Sequence, residues 1–367
     1  MNASMVVRRG AATERARRST LSLMASVALA VAACGGAATT APSAATTAPS
    51  VAPTEAPSTA PSGTATPVAE QPLIGFANIL RTGCAFCTDV EKSVTDQVAA
   101  KGWELFAVDH NIDANQILAN ADAMVTKGVD VYLNFDGGVT NYAATIDKMK
   151  AAGIPMVFID GPFPDFALPN VYWMGADSGL AGTELGKYAV EYAKANWDGK
   201  IDAVFATFQS SWPDETKKRL VNAMAEISKT YPDLTMETIT ISDAVLAGDK
   251  TQAEATAFLN ANPGKNHLLF IATTNDIAGL AMESALDAAG RKGDGIVLSM
   301  GADSSAQEAI RAGGDFKMSV AFGPERYGEF LVPVIEKILA GEIPPSITRA
   351  VAFPVDASNI DQYYPLP

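Results

Sequence analysis

The sequence contains little of the chemistry on which most enzymes depend. Among 367 residues there are only two histidines, His110 and His267, and three cysteines. A zinc site needs four ligands, which these residues scarcely supply. There is also no Gly-x-Ser-x-Gly elbow, no Walker loop and no dinucleotide glycine fingerprint. We therefore predict no catalytic residue, cofactor or metal, although carboxylates such as Asp136 and Asp160 leave an exported hydrolase open as an alternative.

Positive charge is also scarce, because 27 Lys and Arg face 41 Asp and Glu and the net charge is −14. Binding to nucleic acid needs a basic surface, so nucleic acid is excluded as a partner. Hydrophobic residues make up 48% of the chain and charged residues 19%, which excludes global disorder. The length predicts two domains or one large one, together with non-globular segments.

The amino terminus has the pattern of an export signal over residues 1–33. An apolar stretch, Leu21–Ala33, follows five arginines and is shorter than the ~20 residues that span a bilayer. It ends in Val31-Ala32-Ala33-Cys34-Gly35, which resembles the lipobox of bacterial lipoproteins. The resemblance implies that Cys34 is lipidated and becomes the first residue. The alternative is ordinary cleavage near Ala33 beside an incidental cysteine.

Residues 34–71 have the composition of a tether. They are almost entirely Ala, Thr, Pro, Ser and Gly, with Glu55 and Glu70 as the only charges. Such a segment cannot bury a core and is expected to be flexible and partly extended. A lipid anchor followed by a tether predicts an exported protein, held at the outer face of the cytoplasmic membrane or in the periplasm.

From Pro72 onward, short apolar runs alternate with longer amphipathic patterns, which predicts an α/β fold with parallel strands. The number of repeats favours two doubly wound sheets over a closed eight-stranded barrel. The predicted strands are Leu73–Ala77, Trp103–Val108, Val129–Asn134, Pro155–Ile159, Val171–Gly175, Ile201–Thr207, Met236–Ile241, His267–Ala272, Gly295–Met300 and Lys317–Phe322.

Polar and aromatic residues follow nearly every predicted strand. Ligands of open parallel sheets bind beyond the carboxyl ends of the strands, where these side chains would converge. Planar amides and carboxylates suit paired hydroxyl groups, and aromatic rings suit apolar sugar faces. Taken singly, each Asp or Asn is also explained as a helix N-cap. The candidate ligand-binding residues are Phe86, Asn134, Asp136, Asp160, Trp212, Asp214, Asn275 and Asp303.

Between Leu73 and Tyr364 the sequence resembles the type I periplasmic binding proteins of the ribose-binding-like class, which capture sugars for ABC importers. The segments that carry the resemblance are Asp109…Asp113…Gln116, Lys127-Gly128-Val129-Asp130, Ala152-Gly153-Ile154-Pro155-Met156-Val157 followed by Asp160, Gly175-Ala176-Asp177, Thr274-Asn275-Asp276, Gly301-Ala302-Asp303 and Leu339-Ala340-Gly341-Glu342…Pro344.

The resemblance implies two lobes that close on a ligand and are joined by a three-segment hinge. The crossings would lie near Ala176-Asp177, Phe322-Gly323 and Ala352–Pro354. The first lobe would comprise residues 72–176 plus 323–351, and the second 177–322 plus 352–367.

The resemblance also assigns roles to some of the candidates. Phe86 falls where the family stacks an aromatic ring on the ligand. Asn134 and Asp160 fall on hydrogen-bonding positions of the first lobe, and Asn275 and Asp303 on those of the second.

Four positions depart from the family pattern. Asp214 stands where the family has an arginine, and Arg219 lies too far along the helix to replace it. Gly161 replaces a second arginine, Phe322 a glutamine and Cys87 a second aromatic residue. The expected pocket is therefore unusually acidic. A neutral sugar or polyol is the first expectation, an amine-bearing or nucleoside-like ligand stays open, and a strongly anionic ligand is not expected.

Cys84 and Cys87 form a Cys-x-x-Cys pair directly after the first strand. In an exported protein such neighbours favour a disulfide, which here would shape the binding loop. Free thiols and a redox-active pair are the alternatives. The expected partners are the permease subunits of an ABC transporter. A sensory protein that presents its ligand to a receptor would have the same sequence features.

Overall fold

The computed structural model describes residues 71–136, 141–161, 164–209, 212–234, 236–240 and 248–366. The export signal, Cys34 and all but the last residue of the tether lie outside these ranges, so they remain predictions. None of the helices within the described ranges combines the length and the apolar character that a membrane span requires.

The first sheet has six parallel strands, in the order β11-β5-β4-β3-β1-β2. Strands β3, β4 and β5 are buried at every position, because their nearly continuous apolar sequences are covered on both faces. The strands are β1 (Leu73–Asn78), β2 (Glu104–Asp109), β3 (Val131–Asn134), β4 (Met156–Ile159), β5 (Val171–Gly175) and β11 (Ile347–Arg349).

The second sheet has the order β12-β10-β9-β8-β6-β7. Its strands are parallel except for β12, which pairs antiparallel with β10 at the edge. The rings of Phe205, Phe258 and Phe270 pack at 5.3–5.8 Å in this lobe's core. The strands are β6 (Ala203–Phe208), β7 (Met236–Thr240), β8 (Leu268–Ala272), β9 (Gly295–Gly301), β10 (Phe316–Ala321) and β12 (Phe353–Asp356).

The helices begin and end where the sequence provides caps. Asp177, Asn275 and Asp303 accept hydrogen bonds from the first turns of the helices that follow them, and Gly128 and Gly153 end helices in the left-handed conformation. The helices are α1 (Ala85–Ala100), α2 (Ala114–Lys127), α3 (Tyr142–Ala152), α4 (Ser178–Asn196), α5 (Asp214–Thr230), α6 (Gly248–Ala261), α7 (Asp276–Ala288), α8 (Ser304–Ala312), α9 (Tyr327–Leu339) and α10 (Ile360–Tyr363).

The chain passes between the two sheets at three places. It leaves the first sheet after β5, returns after β10 through a 3₁₀ turn (Pro324–Arg326) into α9, and leaves again between β11 and β12. Because α9 packs on α1 and β11 pairs with β5, both belong to the first lobe. The prediction of two doubly wound lobes is confirmed, and the closed barrel is excluded.

Candidate functional site

Phe86 lies where the two lobes meet. It stands in the first turn of α1, with its ring centroid 6.4 Å from that of Phe135 after β3 and 6.4 Å from that of Phe322 after β10. The Tyr327 ring is 5.6 Å away, edge to face. A Cβ on Gly301 of the second lobe would lie 3.6 Å from the Phe86 ring. Phe86 therefore offers an aromatic surface at the boundary of the lobes, the place expected for a stacking residue.

A disulfide joins Cys84 and Cys87, on either side of Phe86. The two Cα atoms are 5.3 Å apart, and the backbone N–H of Cys87 donates to the Cys84 sulfur at 3.2 Å. Both residues are buried. The bridge therefore closes the turn that carries Phe86 and limits the positions that its ring can take.

Asn134 and Asp136 form a buried polar group in the first lobe. The Asn134 Oδ1 accepts a hydrogen bond from the Tyr132 hydroxyl at 2.8 Å and lies 3.0 Å from His110 Nε2. The Asn134 amide donates to Asp136 Oδ2 at 2.9 Å. Since its oxygen already has two partners, Asn134 mainly orients Asp136. Asp136 in turn comes close to Gly161, whose Cβ would lie 3.9 Å from Oδ1.

His110 supports this group from behind and was not assigned a role from the sequence. It is fully buried, and its second ring nitrogen, Nδ1, lies 3.0 Å from the Asn120 amide nitrogen. Burial lowers the pKa of His110, which keeps the ring neutral. A neutral ring that accepts from Asn120 through Nδ1 carries its proton on Nε2, where it donates to Asn134.

Asp160 connects two of the crossings between the lobes. Its Oδ1 accepts from the backbone N–H of Ala176 at 2.8 Å, and its Oδ2 accepts from the Tyr327 hydroxyl at 2.6 Å. Its backbone is left-handed, with φ of 51°, an uncommon conformation that often marks functional sites. Burial raises the pKa of Asp160, whereas these two hydrogen bonds and the positive charge of Arg219 lower it.

The expectations for Asp214 and Arg219 were wrong. The Asp214 side chain is 98% exposed and pairs with Lys217 at 3.0 Å, so it lies outside the site. Arg219 is only 9% exposed and lies on the buried face of α5 together with Ala223 and Ile227. At 3.6 residues per turn, a residue at the first position of α5 points away from the face that starts at Arg219. The arginine therefore enters the site five residues later in α5 than expected.

Arg219 is held between the two lobes by polar and aromatic contacts. Its Nε donates to Ser178 Oγ at 3.2 Å, and its Nη1 donates to the carbonyl oxygen of Thr274 at 3.3 Å. The guanidinium carbon lies 4.8 Å from the Phe322 ring centroid and 5.4 Å from that of Trp212. Burial lowers the pKa of Arg219, while the charge of Asp160 raises it.

Within the described ranges, no carboxylate lies within 4 Å of the Arg219 guanidinium. Its charge is thus offset by Asp160 at longer range and by the two aromatic rings. Donors that no acidic side chain occupies can serve a polar ligand.

Asn275 and Asp303 occupy the carboxyl ends of β8 and β9 in the second lobe. Asn275 Oδ1 accepts from the backbone N–H of Ala278, and Asp303 Oδ1 from that of Ala306, each at 3.0 Å. The N-cap interpretation is therefore correct for both residues. The residue before Asn275, Thr274, accepts from Arg219, and Gly301, two residues before Asp303, lies beside the Phe86 ring. Both caps are therefore close in sequence to residues at the boundary of the lobes.

Three carboxylates meet at the amino-terminal end of α8. Asp276 is buried and accepts from the backbone N–H of Asp303 at 3.1 Å and from the Ser319 hydroxyl at 2.7 Å. Burial, followed by the nearby charge of Asp303, raises the pKa of Asp276 to about 7. Asp89 of α1 accepts from the backbone N–H of Ser304, and burial and Asp303 raise its pKa as well. The first lobe therefore contacts the second at this point.

Seven of the eight candidates follow the carboxyl ends of strands. They are Phe86, Asn134, Asp136, Asp160, Trp212, Asn275 and Asp303. The sequence did not indicate Tyr327 or Asp89, because each is brought to the site by packing between the lobes. Arg219 could have been found from the helical periodicity of α5.

Residues 74–343 match the periplasmic binding protein domain. The chain belongs to the periplasmic binding protein family. This is a family of binding proteins and not of enzymes.

Solved structures of similar fold cover most of the chain. One is a Mycobacterium smegmatis protein in complex with β-D-fucofuranose, 20% identical over 80% of this chain and 94% of that one, with a TM-score of 0.66. A Bacillus halodurans ABC transporter solute-binding protein with bound myo-inositol is 18% identical over 81% of this chain and 99% of that one, with a TM-score of 0.66. An Actinobacillus succinogenes ABC transporter solute-binding protein with bound D-allose is 18% identical over 80% of this chain and 100% of that one, with a TM-score of 0.67.

Proposed function

We propose that this periplasmic binding protein captures a neutral sugar or polyol between its lobes and delivers it to an ABC importer outside the cytoplasm. The observation that carries the proposal is the buried Arg219, which lies against Phe322 and Trp212 and is electrostatically coupled to Asp160 of the opposite lobe. Solved structures of the same fold hold fucofuranose, inositol and allose, which supports this ligand class.

The side chains match the chemistry of a polyhydroxylated ligand. A sugar presents an apolar ring face, which suits Phe86, and hydroxyl groups that both donate and accept. Asp136, Asp160 and Asp303 would accept from hydroxyl hydrogens, and Arg219 would donate to hydroxyl oxygens. Among the described residues, none donates to Oδ2 of Asp303, which leaves that oxygen for a ligand.

The charge of the site favours a neutral ligand. Arg219 supplies one positive charge that the sequence did not lead us to expect in the site. Asp136, Asp160 and Asp303, all buried or partly buried, still outnumber it, and Asp276, with its pKa raised to about 7, adds a partial negative charge at neutral pH. A strongly anionic ligand would be repelled, and a doubly charged cation would have to displace Arg219.

Ligand capture would be coupled to the relative position of the lobes. A ligand that contacts Asp160 on one side and Asp303 on the other favours the closed arrangement, because only that arrangement provides both contacts. Asp160 is hydrogen-bonded to Ala176 and Tyr327, which lie at two of the crossings between the lobes. A ligand bound to Asp160 would therefore act on the segments that join the lobes. The closed form would then be presented to the permease subunits.

The proposal includes export and anchoring through the amino-terminal segment. The signal over residues 1–33, lipidation at Cys34 and the tether over 34–71 would hold the binding lobes near the importer. Mass measurement of the protein from membranes tests this part directly, with Cys34→Ser as the control that cannot carry the lipid.

The ligand class is tested by thermal unfolding in the presence of individual compounds. The panel contains D-allose, myo-inositol, L-arabinose, D-fucose and allitol, with glucuronate and spermidine as charged controls. A compound at 100 times its Kd stabilises the native state by about 2.7 kcal/mol, which raises the Tm by several degrees. A shift with a neutral compound supports the proposal. The proposal is contradicted if no neutral compound raises the Tm, or if glucuronate alone raises it.

A further inference from the structure

Helices α4 and α5 approach each other so closely that their backbones are in contact. A Cβ added to Gly182 would lie 2.5 Å from the carbonyl oxygens of both Lys218 and Arg219. Carbon and oxygen atoms do not approach so closely without a bond, so any side chain at this position would push α5 away. The glycine thus fixes the distance between α4 and the turn of α5 from which Arg219 projects.

Two hydrogen bonds hold the same turn of α5 against α4. Ser178, the first residue of α4, accepts from Nε of Arg219 at 3.2 Å. The Asn222 amide, almost one turn after Arg219, donates to the carbonyl oxygen of Gly179 at 2.9 Å. Close packing and hydrogen bonding therefore converge on the turn that contains Arg219.

The position of this turn decides where the guanidinium lies. Arg219 is 9% exposed, and its guanidinium carbon lies within 5.4 Å of two ring centroids. A long side chain that is confined in this way cannot compensate for a displaced backbone without leaving its contacts. Moving α5 outward would withdraw the charge from Asp160 and from the space between the lobes.

We propose that Ser178 and Gly182 are positioning residues for Arg219. Gly182 sets the distance between α5 and α4, and Ser178 orients the guanidinium by accepting a hydrogen bond from Nε. The proposal rests on the proposed function to the extent that Arg219 contacts the ligand, but the position of Arg219 can be measured without a ligand.

Gly186 provides a matched control on the same helix. Its Cβ would lie 2.5 Å from the carbonyl oxygen of Ala223, so Gly186→Ala introduces an overlap as severe as that of Gly182→Ala. The overlap falls one turn further along both helices, away from Arg219. A general loosening of the pair would affect both variants, whereas positioning of Arg219 would be lost only in Gly182→Ala.

The first measurement follows the Nε–H resonance of Arg219 in ligand-free protein labelled with ¹⁵N-arginine, assigned with Arg219→Lys. In the wild type this proton is hydrogen-bonded beside two aromatic rings, so slow exchange with water and a ring-current shift are expected. Gly182→Ala and Ser178→Ala should move the resonance and speed its exchange at least tenfold, and Gly186→Ala should change neither. An unchanged resonance in both Gly182→Ala and Ser178→Ala overturns the proposal.

The second measurement titrates each variant with D-allose, L-arabinose and myo-inositol. Loss of a charge-assisted hydrogen bond predicts a Kd weakened about 10-fold or more in Gly182→Ala, against less than about twofold in Gly186→Ala. Combined with Arg219→Lys, Gly182→Ala should weaken binding no further. Additive effects would show that Gly182 acts independently of Arg219 and would overturn the proposal.

The two measurements separate this inference from the proposed function. If no compound binds the wild type, the proposed ligand class is wrong, but the Nε–H resonance of Arg219 still tests whether Ser178 and Gly182 position this side chain. If Gly182→Ala does not fold, Ser178→Ala decides alone, because it removes one oxygen and adds no overlap. Wild-type exchange in Ser178→Ala would then contradict the proposal.

Discussion

Replacing Arg219 with methionine should weaken ligand binding strongly while leaving the fold intact. Methionine is long, unbranched and apolar, so it can occupy the space between Phe322 and Trp212 that the guanidinium now fills. Removing the guanidinium also removes its desolvation penalty, but the buried carboxylate of Asp160 then loses the positive charge that offsets it, which lowers the free energy of unfolding. The variant should therefore fold but unfold at a somewhat lower temperature than the wild type.

The expected loss of affinity follows from the hydrogen bonds that Arg219 would make. A hydrogen bond to a charged group contributes about 1.5–3 kcal/mol, and about 1.4 kcal/mol corresponds to a tenfold change in Kd. One such bond to a ligand hydroxyl therefore predicts a Kd about 10- to 100-fold weaker. The loss should also raise the pKa of Asp160, since the Arg219 charge now lowers it.

Isothermal titration calorimetry with the neutral compound that gives the largest thermal shift measures this loss. Asp214→Asn is the matched control on the same helix, because that side chain is 98% exposed and should leave Kd within about twofold of the wild type. A folded Arg219→Met variant with an unchanged Kd would refute the reasoning. An equal loss in Asp214→Asn would show that the exposed face of α5 matters instead.

Three further predictions concern Asp303, the disulfide and pH. Asp303→Asn should keep the N-cap of α8 and the Tm near pH 5, because Asn caps as well as Asp, but should weaken ligand binding by titration; unchanged binding would contradict this role. The Cys84→Ser/Cys87→Ser double variant should lose roughly 2 kcal/mol of unfolding free energy in denaturant titration, together with ligand affinity through Phe86, and full affinity would contradict a shaping role for the bridge. Because the pKa of Asp276 rises from 3.8 to about 7 on folding, its contribution to stability is fully present below about pH 4 and is lost as pH rises through about 7. Calorimetry should therefore find a higher Tm near pH 5 than near pH 8, with a smaller difference in Asp303→Asn, and an equal difference in that variant would contradict the coupling between the two carboxylates.

The fold could be read from the sequence because parallel strands buried on both faces leave a strong signal. Runs such as Val131–Asn134 and Met156–Ile159 are almost entirely apolar, and the sequence also shows the glycines and capping residues at which helices begin and end. The edge strands Ile347–Arg349 and Phe353–Asp356 were missed, because they are short and partly exposed and the second contains a proline. Each of these strands pairs with a strand that lies far away in the sequence, and the pairing depends on where the chain crosses between the lobes. A local sequence pattern does not show these crossings.

The site was predictable where a residue follows a strand, and not where helices meet. Asn275 and Asp303 could be placed because the carboxyl ends of parallel strands share one edge. Arg219 was misplaced because the sequence does not show how deeply α5 packs on α4, a distance that Gly182 sets through tertiary contact. His110 was overlooked because its partners, Asn120 and Asn134, lie on other elements.

A crystal structure of the protein grown with the neutral compound that raises its Tm most tests the central claim most directly. The account predicts one molecule between the lobes, stacked on Phe86, with hydroxyl groups bonded to Arg219 and Asp303 on one side and to Asp136 or Asp160 on the other. A molecule bound elsewhere, or one that contacts a single lobe, would contradict it.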